Sequence, residues 1–384
     1  MATQRDVSGP PPADSPPADS PPAEPPAGEE AMPDELHPRH LAIRVAEVTA
    51  VIAVVAIAIT AVPGLDEVRD RFVHADPVWL AAVGLAEVAS CAGYVLVFRS
   101  TFCPQMSWGL SYDISMAEQA ANSLLPSGGA GGLALGVWAL RRAGMSTVHI
   151  AQRTIAFFLV TSAANFAAVV LVGLGLFLGV FAGDASPAFT LLPAVLAAIV
   201  IEVTWLSPKL LRTFGEPLAA TSRGSWTGRV RHAIRDGLKT AADGVDLAKT
   251  LLRSHSFGVV VGSFAYMAFD IAALGFGFAA VGHVPPFGTL VMAYLIGQLG
   301  NLIPVPGGIG GTEGALVGMF AIFHVNVSLA IAAVFIYRLF QLAVPAVLGA
   351  PAFVLLRRKL AHEENRAAVC TPLSVDVVEL PARS

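Results

Sequence analysis

Charge is what this sequence has least of. Only 14% of its 384 residues are Asp, Glu, Lys or Arg, against 55% from the apolar set, and the mean hydropathy is +0.66. Soluble domains carry about a quarter charged residues, so the bulk of this chain is expected inside a membrane. A formal net charge of −4 offers no basic field, which argues against a nucleic-acid partner. Cys91, Cys103 and Cys370 are too few and too scattered for a disulfide framework or a metal cluster. Also missing are the HExxH, GxxxxGK(S/T), GxSxG and GxGxxG fingerprints, and with them any familiar soluble enzyme module; no metal or cofactor is expected.

What is present begins with a tail. Residues 1–38 repeat PPADSPPADSPPAEPPAG, hold 11 of the 27 prolines, and contain almost nothing that fills a core. The tail lacks the charged start, short apolar stretch and cleavage site of a signal peptide, so the first apolar helix is expected to stay in the mature protein.

Apolar runs long enough to cross a hydrocarbon core follow at 41–62, 77–98, 150–181, 187–206, 257–281 and 328–356. Two further apolar stretches, 110–143 and 286–324, are interrupted by PSGGAGG at 126–132 and PVPGGIGGT at 304–312, each reading as helix, glycine break, helix. The expected fold is an all-α, polytopic membrane helix bundle with two glycine-broken hairpins. Its parts are the tail 1–38, a membrane half 39–206, a cytoplasmic amphipathic linker 207–256, a second half 257–360 and a tail 361–384.

Lys and Arg asymmetry sets the expected orientation. Segment 207–256 has nine Lys/Arg against four acids, and Arg357, Arg358 and Lys359 follow the last helix, whereas 63–76 carries Asp66, Glu67, Asp70 and Asp76. Both termini are therefore expected in the cytoplasm of a multi-pass cell-membrane protein, and the two broken hairpins open to opposite faces. Within the linker, Trp226, Val230, Ile234, Leu238, Ala241, Val245, Ala248 and Leu252 share a helical face. That face is expected in the membrane interface, or else against the inner end of the bundle.

The breaks resemble each other. Gln119–Gly132 reads QAANSLLPSGGAGG and Gln298–Gly311 reads QLGNLIPVPGGIGG, six of fourteen positions matching: Gln119 with Gln298, Asn122 with Asn301, and Gly128, Gly129, Gly131 and Gly132 with Gly307, Gly308, Gly310 and Gly311. With opposite orientations this is an inverted repeat, a recurring transporter architecture whose substrate site lies between the halves. A glycine break in hydrocarbon must line something that satisfies its backbone, and the half-helix after it presents free N–H groups to an anionic oxygen.

Ionisable side chains inside apolar spans are functional candidates by default. They are Glu87, Glu118, Arg153, Asp270, Glu313 and Arg338, with Asn165 and Gln341 as neutral company, while Glu47 and Glu202 lie near helix ends and read as snorkelling. Glu313 opens the half-helix after its break, and Arg338 stands alone in the run 327–356. Antiparallel neighbours bring them together, either as an ion pair that only pins two helices, or as a site where Arg338 receives phosphate and Glu313 receives an amine or a proton. Glu118 and Arg153 are parallel candidates in the first half, and Asp270 is a candidate for the same cavity.

The run NLIPVPGGIGGTEGALVGMFAIFHVNVSLAIAAVFIYRLFQL, Asn301–Leu342, resembles the signature of flippase-like integral membrane proteins related to the transmembrane region of lysylphosphatidylglycerol synthetase. LLPSGGAGGLALGVWALRRAGMS, Leu124–Ser146, is similar to that family's first break, except that its continuation here, GLALGVW, lacks charge. The resemblance implies movement of anionic, aminoacylated or polyprenyl-linked lipids between leaflets, with Pro306, Gly307, Gly308, Gly310, Glu313, Tyr337 and Arg338 in the site. It also implies a membrane lipid as partner, and a separate enzyme that modifies it, because the 25 residues after Lys359 are too few for a catalytic domain. The rivals are a secondary transporter of a small solute or ion and a membrane-embedded lipid-phosphate enzyme.

Overall fold

A computed structural model describes residues 66–124, 130–183, 186–215, 226–254, 256–302 and 310–362, and every element in them is helical. The expected span 41–62 and the glycine-rich centres of both breaks fall outside these residues. The helices are α1 (Asp66–Val73), α2 (Pro77–Phe102), α3 (Trp108–Leu124), α4 (Ala130–Arg142), α5 (Thr147–Phe177), α6 (Pro187–Gly215), α7 (Trp226–Arg253), α8 (Phe257–Ala280), α9 (Phe287–Gly297), α10 (Gly311–Ile322) and α11 (Val327–His362), with a 3-10 turn Gln298–Leu302 after α9. Among the described residues, α2, α5, α6, α8 and α11 are the five long, apolar helices with membrane-spanning length. The chain is an all-α, polytopic membrane helix bundle.

Helix ends follow local chemistry. Asp76 Oδ1 accepts the Val78 N–H at 2.8 Å and Pro77 opens α2, while Ser146 caps α5. The apolar run of α6 continues through LSPKLL to Gly215, beyond the expected 206, and α11 continues past 356 to His362. Two prolines, Pro345 and Pro351, lie inside α11.

The α2–α8 pair forms the spine. A Cβ on Gly93 would lie 2.6 Å from the Tyr266 backbone nitrogen, and one on Gly262 would lie 2.6 Å from that of Val97, so the two backbones meet with no side chain between them. Ser90 Oγ adds a hydrogen bond to the Tyr266 carbonyl at 3.0 Å.

Two apolar cores flank this spine. One gathers the C-terminal half of α2, the α3–α4 pair, the start of α5 and the end of α11; the other gathers the start of α2, the end of α5, most of α8, the α9–α10 pair and the start of α11. On α2 the cores are separated by Glu87 and Ser90, and Asp270 on α8 and Arg338 and Gln341 on α11 lie close to the same boundary. A polar layer therefore crosses the bundle at one level.

The charges sort to two ends. At one, Arg71 bonds Glu67 at 2.8 Å and the Val281 carbonyl at 3.1 Å, and the Asp76 N–H bonds the Ala280 carbonyl. At the other, Arg99 lies over the Trp108 ring, Lys359 pairs with Asp113, and Arg141 bonds Thr147. Cys91 is a buried free thiol and Cys103 is disulfide-bonded.

The apolar face of α7 splits in two. Val245 and Ala248 are buried and Gly244 packs on Ile155 of α5, whereas Val230 and Ile234 are exposed. Arg212 of α6 reaches Asp243 at 3.1 Å and Asp246 at 2.7 Å. The C-terminal half of α7 thus covers the bundle.

Candidate functional site

The site is built where α10 starts against the middle of α11. Glu313, in the first turn of α10, accepts the Gly310 N–H at 2.8 Å through Oε2 and the Arg338 Nε–H at 2.7 Å through Oε1. Gly310 has φ +111°, a conformation that a side chain strains, and this fixes the entry into the helix. Both ionic side chains are buried, with 8% of Glu313 and 11% of Arg338 exposed. One Arg338 Nη donates to Gln341 Oε1, one turn along.

Gln341 joins this pair to a second cluster. Its Nε2 donates to Asp270 at 3.2 and 3.3 Å and to the Tyr337 hydroxyl. Asp270 also accepts from the hydroxyls of Tyr294 and Tyr337, the latter at 3.0 Å, and Gln298 Nε2 donates to Tyr337 at 3.2 Å. Glu87, buried on α2, lies beside Asp270 across the α2–α8 spine. Low-polarity surroundings strengthen each bond of such a network and make a missing partner costly.

The first broken hairpin has a smaller counterpart. Asn122 Oδ1 accepts the Gly132 N–H at 3.0 Å, tying the end of α3 to the start of α4. Gln119 interacts with Tyr266 and Glu118 with Tyr94. Each break-preceding glutamine, Gln119 and Gln298, therefore lies beside a tyrosine of a long helix. The Tyr94 and Tyr266 rings meet edge to face at 5.4 Å, so the two networks approach through the spine.

Of the residues singled out by sequence, Asp270, Gln298, Glu313, Tyr337 and Arg338 come together, with Gln119 and Asn122 near the other hairpin. Arg153 does not join them: it donates to the Thr101 carbonyl at 2.6 Å and to His149, at the end that carries Arg99. Asn165 is exposed on α5 and Glu202 on α6, outside the cluster. Gly128, Gly129, Pro306, Gly307 and Gly308 lie outside the described residues, as does the side chain of Asn301. Tyr94, Tyr266 and Tyr294 were not singled out. Their signal was scarcity, since the chain has five tyrosines and four of them enter these networks.

An open depression of about 420 Å3 lies at the acidic end, lined by Glu67, Asp70, Arg71, His74, Asp76 and 279–282. There the hydrogen bond from Arg71 holds the exposed Glu67 carboxyl below the ordinary carboxylate range.

The family described as the lysylphosphatidylglycerol synthase TM region matches residues 45–349. The chain belongs to that family. The matched stretch contains both networks and the α2–α8 spine, so the resemblance carried by the Asn301–Leu342 run extends over both halves. Among curated relatives, a UPF0104 membrane protein of Methanothermobacter thermautotrophicus is 34% identical over 108 residues, 28% of this chain and 30% of the relative. The chain thus matches under a third of that relative's length. No solved structure matches this family member.

Proposed function

We propose that the protein is a lipid transporter, moving an anionic or aminoacylated phospholipid, or a polyprenyl-linked lipid, across the cytoplasmic membrane. The observation that carries this reading is the Arg338–Glu313 pair, buried at the first turn of α10 in the polar layer of a largely apolar bundle. A lipid phosphate supplies Arg338 with a second anionic partner and meets the free N–H groups that open α10. Glu313, released from Arg338, then accepts a headgroup amine or a proton. Acyl chains stay in the bilayer while the head passes between the broken hairpins, and the halves, related as an inverted repeat, rock about the site. In this reading both hairpins are re-entrant, α7 and the termini face the cytoplasm, and a separate enzyme makes the modified lipid; this chain is a carrier and not an enzyme.

One observation favours a small-solute or ion carrier instead: the Asp270 cluster is closed on all sides, with 6% of Asp270 exposed. The two readings separate in proteoliposomes carrying fluorescent phosphatidylglycerol, with dithionite quenching as the readout. Protein-dependent loss of more than half the fluorescence supports lipid movement. Loss of only the outer-leaflet half, as in empty vesicles, overturns it.

A further inference from the structure

Glu87 and Asp270 belong to α2 and α8, the two helices that pack backbone to backbone, and the antiparallel register set by Gly93 against Tyr266, Gly262 against Val97 and Ser90 on the Tyr266 carbonyl places the two carboxyl groups side by side. A carboxylate is an acceptor only, so two carboxyl groups placed side by side can bond each other only when one carries a proton. With 2% of Glu87 and 6% of Asp270 exposed, two bare carboxylates in contact would face both repulsion and lost hydration. Glu87 Oε1 is buried without any hydrogen-bond partner, an open acceptor.

The surroundings suit a proton rather than a metal ion. Both Asp270 oxygens already accept hydrogen bonds, from the hydroxyls of Tyr294 and Tyr337 and the amide of Gln341, so the lone pairs that a cation would take are engaged. Among the described residues, no group of three or more His, Cys, Asp or Glu forms a metal site.

We propose that Glu87 and Asp270 form a proton-binding pair that loads one proton from one side of the membrane and releases it to the other, coupling lipid movement to a proton gradient. The coupling clause rests on the transport reading above. The proton stays on a carboxyl oxygen while the pair is buried; on release that O–H bond breaks and water on the open side takes the proton. The charge of the pair goes from −1 to −2 and returns on reloading.

Gln341 carries the change outward, because its amide N–H groups hold Asp270 while its oxygen holds Arg338. The titratable and charged groups that face the pair are Cys91 on α2, Tyr266 on α8, Tyr294 on α9, and Tyr337 and Arg338 on α11, with Glu313 on α10 held by Arg338. Glu118 on α3 stops at Tyr94, His149 and Arg153 on α5 are bonded to each other, and Asp243 and Asp246 on α7 are bonded to Arg212.

The test uses the full chain in vesicles with fluorescent phosphatidylglycerol and a trapped pH dye. An imposed pH gradient should change the initial rate of lipid movement several-fold and reverse its effect when inverted, while an equal sodium gradient leaves the rate unchanged. Glu87→Gln should lose the pH response and Glu87→Asp should keep it, with thermal melts showing that both are folded. A wild-type rate indifferent to the pH gradient, one that follows sodium, or an unaltered pH response in Glu87→Gln overturns the proposal.

Infrared difference spectra of solubilised protein, stepped in pH, test the pair independently of lipid movement. A buried carboxylic-acid carbonyl band present in the wild type and missing in Glu87→Gln supports it; its absence from the wild type overturns it. Vesicles in which the wild type moves no lipid defeat the transport reading and the coupling with it, and the infrared result then decides the proton pair.

Discussion

Arg338 and Glu313 stand 25 positions apart in the chain and 2.7 Å apart in space, and Glu313 spends its other oxygen on the Gly310 N–H. Removing one charge strands the other, which costs about 3 to 5 kcal/mol in buried pairs, whereas an apolar pair of similar size is often neutral. Glu313→Gln and Arg338→Met should each lower thermal stability, and the double variant should regain most of it. In the proposed site that double variant still moves no lipid, because phosphate has lost its cation. A stable double variant that flips phosphatidylglycerol at the parental rate would sink the mechanism.

Gly262→Val places a branched side chain where the Val97 backbone nitrogen leaves no room. Overpacking of this kind costs about 1 to 3 kcal/mol or more. The melting temperature should fall clearly, while Gly314→Ala, whose added methyl meets nothing within 4 Å, should be near neutral. Equal melts for the two variants would mean that the spine is looser than described.

Gly310→Ala forces a side chain onto φ +111° and loosens the entry to α10. Roughly 1 to 2 kcal/mol of strain is expected. Asn122→Ala leaves the Gly132 N–H without its acceptor, a loss comparable to a helix cap, about 1 kcal/mol. Chemical-denaturant or thermal melts in one detergent rank them; Asn122→Ala more damaging than Gly310→Ala would reverse the assignment.

Single cysteines at Ser254, Ser186 and His283, in a chain lacking Cys91, Cys103 and Cys370, report sidedness. An impermeant thiol reagent on intact cells should label positions 186 and 283 and spare 254 until lysis. Labelling of 254 before lysis inverts the orientation proposed from the charge bias.

The spanning helices were legible because uninterrupted apolar runs allow little else, and α2, α5, α8 and α11 begin within three residues of their expected starts. The meeting of Glu313 with Arg338 was legible too, since the antiparallel helices carrying them are joined by the short turn 323–326. The neighbours of Arg153, the Thr101 carbonyl and His149, were not legible, because position along a helix gives depth but not what a side chain faces. The tyrosines escaped notice because hydropathy counts their rings and ignores the hydroxyl, which needs a partner once buried. For α7, periodicity marked the apolar face but held no information on whether protein or lipid covers each turn.

Pro345 has one further consequence for α11. A proline has no N–H, so the carbonyl four residues earlier, that of Gln341, goes without its helical bond. Gln341 is the side chain that ties Arg338 to Asp270. The helix is therefore most pliable at the joint between its two ion-bearing clusters, with one apolar core gripping it on either side. A bend there swings one end of the bundle like a lever against the other, and Gln341 feels the motion first.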